Sequence, residues 1–451
     1  MNYKDRLLKS IPGGAHTYSR GYDQFPSNAP QILERGEGAY VWDPKGNKYL
    51  DYGMGLRSVT LGYAYQDVAR AASDEIYKGN ALTRASLTEL EAAELMIDLI
   101  PGADMVKFAK NGSNVTTAAA KVARSYTGKR YICVPRQHPF FSFDDWFIGS
   151  TVMSKGVPDQ HISNTLIFDY NDINSLKILF DKYPNQIAGV MLEPATTEVP
   201  CAVGCRNTLS YNSSCSKCPS SKDTFLHSVQ AICRANNSLF ILDEMITGFR
   251  WHLNGAQNYF GLDPDLSTFG KGMANGFSVA ALVGKRDIMD VGSICEKGAE
   301  RTFLLSSTHG AEMVGLRAFI ETIKVYKEHN VCEHLWDYGE KLAIGIMDIS
   351  KELGLEDSFS IVGPSISQNF LTKDLDGNIS LPLRTLFSQE MIKNGVILSW
   401  IATSLSHKDK ELEITFEAAR KSLIKYSEAL NNGVENYLIG DVVKPVFRKH
   451  N

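Results

Sequence analysis

The 451-residue chain has no run of about 18 uninterrupted apolar residues, the length a helix needs to cross a bilayer, so no membrane span is expected. It also has no long Lys/Arg run. Its formal net charge of -4 gives no general attraction to phosphate backbones, so no nucleic-acid partner is expected. The opening residues, MNYKDRLLKSIPGG, are charged and hold no apolar segment, which argues against a secretory signal. The eight cysteines are spread too widely for a disulfide scaffold, so a reducing cytoplasm is the expected setting. Both G-x-x-x-x-G-K-S/T and G-x-G-x-x-G are missing, and P-loop and dinucleotide readings lose their warrant with them. No repeat period or low-complexity tract is present.

What is present is an ordinary globular composition, with 43% hydrophobic and 22% charged residues. The length suits two or three domains, or one large α/β domain with an accessory one. The opening reads as β. GAYVWDPKGNKYLDY has two aromatic/aliphatic stretches around Asp43-Pro44-Lys45-Gly46, where Pro presets φ and Gly admits a positive φ. From about residue 64 the pattern turns α/β. Leu87 to Leu99 has helical spacing. Short apolar runs then end on polar residues at 105–113, 187–194, 238–244 and 278–285, as strands buried on both faces of a parallel sheet do. Helical stretches such as Val115 to Ser125 and Phe225 to Ala235 suit crossovers. The expected division is residues 1–60 as the start of a smaller α+β unit, 61–309 as a large unit with a mostly parallel sheet, and 310–451 as the rest of the smaller one.

Ligands of open α/β sheets sit at the carboxyl ends of strands. Glu193 and Asp243 each close an apolar run, which makes both candidates on position alone, although either could be a plain capping carboxylate. Lys110-Asn111-Gly112-Ser113-Asn114 lies between an apolar run and an Ala-rich helix. Small residues there let backbone N–H groups approach an anion, and the same residues make an ordinary N-cap. Lys271 stands between glycines in apolar surroundings, where a lysine can be a nucleophile with a depressed pKa or an exposed loop residue.

FILDEMITGFRW (240–251) and DLSTFGKGMANGFSVAALVG (266–284), taken together, resemble the class III, fold-type I pyridoxal-phosphate (PLP) aminotransferases, and within them the glutamate-1-semialdehyde aminomutase-like branch. The resemblance runs from about Ile11 to about Ala429. It implies that Lys271 carries the cofactor, that Asp243 pairs with its pyridine nitrogen, and that Gly112 and Ser113 bind its phosphate. It further implies Phe140 stacked on the ring, Glu193 near the ring oxygen, Met245 beside the cofactor, and Ser307-Thr308 reaching the phosphate of a neighbouring subunit. A homodimer with shared sites follows, acting on a small-molecule amino donor and a carbonyl acceptor. In IPGGAHTYSRG (11–21), Arg20 falls at the branch's substrate-carboxylate arginine, with His16 beside it.

Departures from the aminomutase pattern point to a reshaped pocket. Phe140-Phe141-Ser142 replaces a Tyr-His-Gly run, Leu56-Arg57 stands where a tryptophan is expected, and residues 111–114 are Asn-Gly-Ser-Asn rather than Ser-Gly-Thr-Glu. Arg57 thereby joins the substrate candidates. The expectation is a PLP-dependent aminotransferase, by analogy of surface-sugar or small-metabolite biosynthesis. Glutamate-1-semialdehyde 2,1-aminomutase is the second reading, and a non-catalytic, metal-stapled binding protein on the same fold the third. His138 and His309 lie near these segments and read as structural. An insertion at 200–222 holds Cys201, Cys205, Cys215 and Cys218 in the spacing C-x3-C-x9-C-x2-C. That set suits a closed, structural zinc site, with an iron–sulfur cluster or a reduced loop as alternatives.

Overall fold

The computed structural model describes residues 2–202, 223–295 and 297–451. The chain forms two compact units, Met1–Tyr65 with Glu333–Arg448, and Gln66–Cys332 with Lys449–Asn451. The first, smaller unit begins with the helix Tyr3–Ser10 and then forms three antiparallel strands, β1 (Arg35–Glu37), β2 (Tyr40–Trp42) and β3 (Lys48–Asp51). The β2–β3 turn closes as its residues dictate. Asp43 Oδ1 accepts the N–H groups of Lys45 and Asn47 at 2.9 Å each, and Gly46 takes φ +83°.

The larger unit is built on seven strands: β4 (Met105–Ala109), β5 (Tyr131–Pro135), β6 (Thr165–Phe168), β7 (Ile187–Leu192), β8 (Leu239–Asp243), β9 (Leu266–Phe269) and β10 (Ala280–Gly284). Their order across the sheet is β4-β10-β9-β8-β7-β5-β6, and β10 alone runs antiparallel to its neighbours. All six residues of β7 and all five of β8 are buried, as expected of strands covered on both faces. The helix Gly112–Thr127 lies close because its sheet side is alanine and valine. A Cβ at Gly189 of β7 would stand 3.0 Å from Leu239 O and 3.5 Å from Ala123 Cβ, so the sheet itself is trimmed to admit this approach. One core unites Ala119, Ala123, Val134, Met191, Ile241 and Leu282.

The smaller unit is completed by the antiparallel pair β11 (Phe359–Val362) and β12 (Asn369–Thr372), by β13 (Val396–Ile397) parallel to β3, and by long helices including Leu381–Lys393 and Asp409–Asn432. Its core holds Tyr52, Leu342, Phe359, Phe387 and Tyr426. The helix Met313–His329 packs against Gln66–Ile76 and Leu87–Leu99, so the second crossing between units falls at Cys332/Glu333 rather than near residue 310. The insertion leaves and rejoins the larger unit at one place. Ala202 and Thr224 form an antiparallel bridge, and the Phe225 N–H donates to Cys201 O at 2.9 Å.

Candidate active site

β8 is apolar until its last residue, so burying the strand carries the Asp243 carboxylate inside, where it is 2% exposed. Register gives it a partner. Asp243 faces Thr268 of β9, and Thr268 Oγ1 donates to Asp243 Oδ1 at 2.9 Å. The Met245 N–H donates to the same oxygen at 3.0 Å. Both bonds fall on Oδ1, and among the described residues Oδ2 accepts none. Burial pushes the Asp243 pKa up to about 6, opposed by the Lys271 charge and the two hydrogen bonds.

Lys271 begins a 3-10 turn, Lys271–Ala274, two residues past β9. It is half-buried and holds φ +41°, a left-handed value that costs a side-chain-bearing residue about 1–2 kcal/mol. Such strain is kept where surrounding structure fixes it, often at a site. The adjacent glycines make room for Met245. A Cβ at Gly112 would stand 2.9 Å from Met245 Sδ, and one at Gly270 2.6 Å from the same atom. One thioether thus fills the gap between the turn after β4 and the turn before Lys271.

The helix Gly112–Thr127 is capped by Asn111, whose Oδ1 accepts the Asn114 N–H at 3.1 Å. The N–H groups of Gly112 and Ser113 lie in the first turn, where no helical carbonyl reaches them. Ser113 Oγ accepts the Phe143 N–H at 3.0 Å, which spends a lone pair and leaves its own O–H to donate. The loop bearing Phe140 is tied to this helix. Thr116 Oγ1 donates to Phe141 O at 2.7 Å, and Trp146 Nε1 to Thr117 Oγ1 at 2.7 Å. Phe140 itself is 44% exposed, with its ring edge-on to Phe147.

Glu193 follows β7 and is 4% exposed, and its N–H donates to His138 Nδ1 at 3.0 Å. Next to Asp243, the wholly buried Glu244 accepts Thr247 Oγ1 at 2.6 Å and the Ala256 and Gln257 N–H groups at 2.9 and 2.7 Å. It thereby caps the helix Gly255–Phe260, while burial raises its pKa to about 7. Thr268 and Glu244 were not singled out by the sequence. The signal for Thr268 is a polar residue opposite Asp243 in an all-buried strand, visible only once the register is known.

Ser307 and Thr308 are exposed. Ser307 lines a cleft of about 530 Å³ together with Asn114, Thr117, Lys121 and Asp144. Arg20, His16 and Arg57 belong to the smaller unit. Arg20 and His16 are exposed, and the charge of Arg20 opposes the rise in the Tyr63 hydroxyl pKa caused by burial. Arg57 ends a turn in which Met54, Gly55, Leu56 and Arg57 all have positive φ. The turn is held by Asp51. Its Oδ1 accepts the Gly53 N–H at 2.8 Å, and its Oδ2 accepts the Met54 N–H at 3.0 Å and the Tyr63 hydroxyl at 2.6 Å. Cys201 is buried, whereas Cys205, Cys215 and Cys218 lie outside the described residues. Among the described residues no cluster of three or more His, Cys, Asp or Glu side chains could hold a metal ion.

The larger unit's strand ends therefore offer an open carboxylate oxygen, a nearby lysine, first-turn N–H donors and an exposed aromatic ring. That donor set fits a planar cationic ring bearing an aldehyde and a phosphate. The comparisons with known proteins agree. The chain is 30% identical over 434 residues to a 3-aminobutyryl-CoA aminotransferase of Cloacimonas acidaminovorans (strain Evry), covering 95% of this chain and 98% of that one. It is 28% identical to a glutamate-1-semialdehyde 2,1-aminomutase of Francisella philomiragia, covering 92% and 95%. A PLP-bound structure of the FumI protein of Sphingopyxis sp. MTA144 superposes with a TM-score of 0.79 at 24% identity, over 95% of this chain and 96% of that one, and shares the fold. The family model for class-III aminotransferases matches residues 18–357, and the chain belongs to that family.

Proposed function

We propose that this PLP-dependent transaminase or aminomutase moves an amino group from a small-molecule donor to an aldehyde or keto acceptor at the ends of β7, β8 and β9. The observation that carries the reading is the open Oδ2 of Asp243, a buried carboxylate with a cationic lysine nearby and an oxygen to spare. PLP, when bound, supplies an electron sink for a substrate carbanion. Asp243 holds the ring nitrogen protonated. Lys271 anchors the cofactor and, once displaced by the donor amine, takes and returns the proton at the substrate carbon. Gly112 and Ser113 anchor the phosphate with the helix's first-turn donors, Phe140 covers the ring, and Glu193 and Met245 bound it.

In this reading Arg20, with Arg57 and His16, receives a substrate carboxylate, since an arginine fork suits a carboxylate bidentately. Ser307 and Thr308 serve the phosphate of a second copy, so the working unit is a cytoplasmic homodimer. The spacing of Cys201, Cys205, Cys215 and Cys218 supports a structural zinc. Glutamate-1-semialdehyde 2,1-aminomutase is the second reading, favoured by Arg20 and by the relative carrying that name. Possession of both Lys271 and Asp243 speaks against a binding protein without chemistry.

The test is borohydride reduction of the purified protein followed by peptide mapping. The pyridoxyl group should sit on Lys271; its appearance on another lysine removes that residue from its role. Loss of the visible cofactor band as single amines are added then identifies the donor.

A further inference from the structure

His138 lies three residues past β5 and is 2% exposed. Its ring packs between Tyr170 and Phe141, at centroid distances of 4.9 and 5.9 Å. Nδ1 accepts the Glu193 N–H at 3.0 Å. A ring nitrogen that accepts carries no proton, so in the neutral ring the proton is on Nε2. Burial pushes the His138 pKa down to about 3, so the ring stays neutral near pH 7. Nε2–H has no hydrogen-bond partner among the described residues. The neighbouring Tyr170 hydroxyl donates to Pro194 O at 2.7 Å and takes no bond from it.

A buried donor left unpaired costs about 1–3 kcal/mol, and the great majority of buried polar groups are paired. A bound ligand can bring that acceptor, and the sheet order indicates which. β8, with Asp243, lies between β4, which leads to Gly112 and Ser113, and β5, which leads to His138. A pyridoxal ring carries its phosphate arm and its phenolic oxygen on opposite flanks of the aldehyde carbon. If the nitrogen meets Asp243 and the phosphate the β4 side, the phenolic oxygen is the acceptor left for the β5 side.

We propose that His138 is a cofactor-binding residue whose Nε2–H donates to the phenolic oxygen of PLP, with Glu193 fixing its tautomer through Nδ1. This rests on the reading that PLP binds at these strand ends.

The experiment compares His138→Asn and His138→Gln with the unmodified residue. Asn keeps an acceptor at the Nδ1 position for the Glu193 N–H but has nothing at Nε2, whereas Gln restores a donor near Nε2. PLP itself is titrated into each protein in the Lys271→Ala background, so that non-covalent affinity is read. The cofactor band is then recorded in each with Lys271 present. His138→Asn should bind PLP about tenfold more weakly, the worth of one hydrogen bond, and should shift the band. His138→Gln should recover much of both. Equal affinity and an unshifted band in His138→Asn, while the unmodified protein binds PLP, would overturn the assignment and leave the functional reading standing. Failure of the unmodified protein to take up PLP would remove both together.

Discussion

Each unit ends a strand on a buried aspartate, and the two are used differently. Asp51 closes β3 and has both oxygens engaged, by two backbone N–H groups and the Tyr63 hydroxyl. Asp243 closes β8 with its bonds on one oxygen only and feels the charge of Lys271. Burial raises the pKa of both. The satisfied carboxylate shapes backbone, holding a left-handed turn through Met54 and Arg57. The half-satisfied one is available for chemistry. Burial alone therefore does not distinguish the two; the count of donors on each oxygen does.

The largest effect should come from removing the cation that faces Asp243. Lys271→Ala should lower turnover about 10³-fold or more, since positioned proton transfer is typically worth 10²–10⁴-fold. Single-turnover assays with excess amine measure it, and activity near normal would break the pairing of the two residues. Asp243→Asn should still bind cofactor and lose turnover by about 10²-fold or more, because a neutral amide cannot keep the ring nitrogen protonated. Asp51→Asn should instead leave turnover per folded molecule within a few fold.

Stability should divide the two aspartates in the opposite direction. Asp51→Asn turns an amide donor toward groups that already donate, and should cost about 1–3 kcal/mol in denaturant melts. Asp243 has a folded-state pKa of about 6, above its usual 3.8, so the folded protein favours its proton. Its ionisation therefore weakens the cofactor-free fold as pH rises from about 4 through 6. Cofactor-free Asp243→Asn should accordingly be more stable than the unmodified protein at pH 7–8, by an amount that vanishes near pH 4. A gain that persisted at pH 4 would point to packing instead. The smallest effect concerns the turn that Asp51 holds. Leu56→Gly relieves a positive φ, and should raise stability by up to about 1 kcal/mol, or leave it unchanged if the glycine's added chain entropy offsets the relief.

The sheet was largely legible because β7 and β8 are unbroken apolar runs, and such runs have few places to go. Asp243, Lys271 and the Gly112-Ser113 turn were singled out as candidates by motif order. Thr268 and the Glu193–His138 contact were not, since each joins residues 25 or more positions apart, and only strand pairing brings them together. The left-handed turn was hidden for another reason. Met, Leu and Arg carry no preference for positive φ, and the donors' arrangement around Asp51 imposes it. The helix Met313–His329 shows the limit of amphipathic patterning, which reports an apolar face but not which unit covers it.

The bridge between Ala202 and Thr224 has a consequence for how this chain can change over time. Because the insertion departs and returns at neighbouring points, its length is uncoupled from the frame that carries Asp243 and Lys271. Closing a flexible loop costs only about 0.6 kcal/mol more for each doubling of its length. The doorway just beyond Glu193 can thus accept segments of very different size with little penalty to folding. A lineage can exchange such a segment as a cassette, and the chemistry inside need not be rebuilt each time.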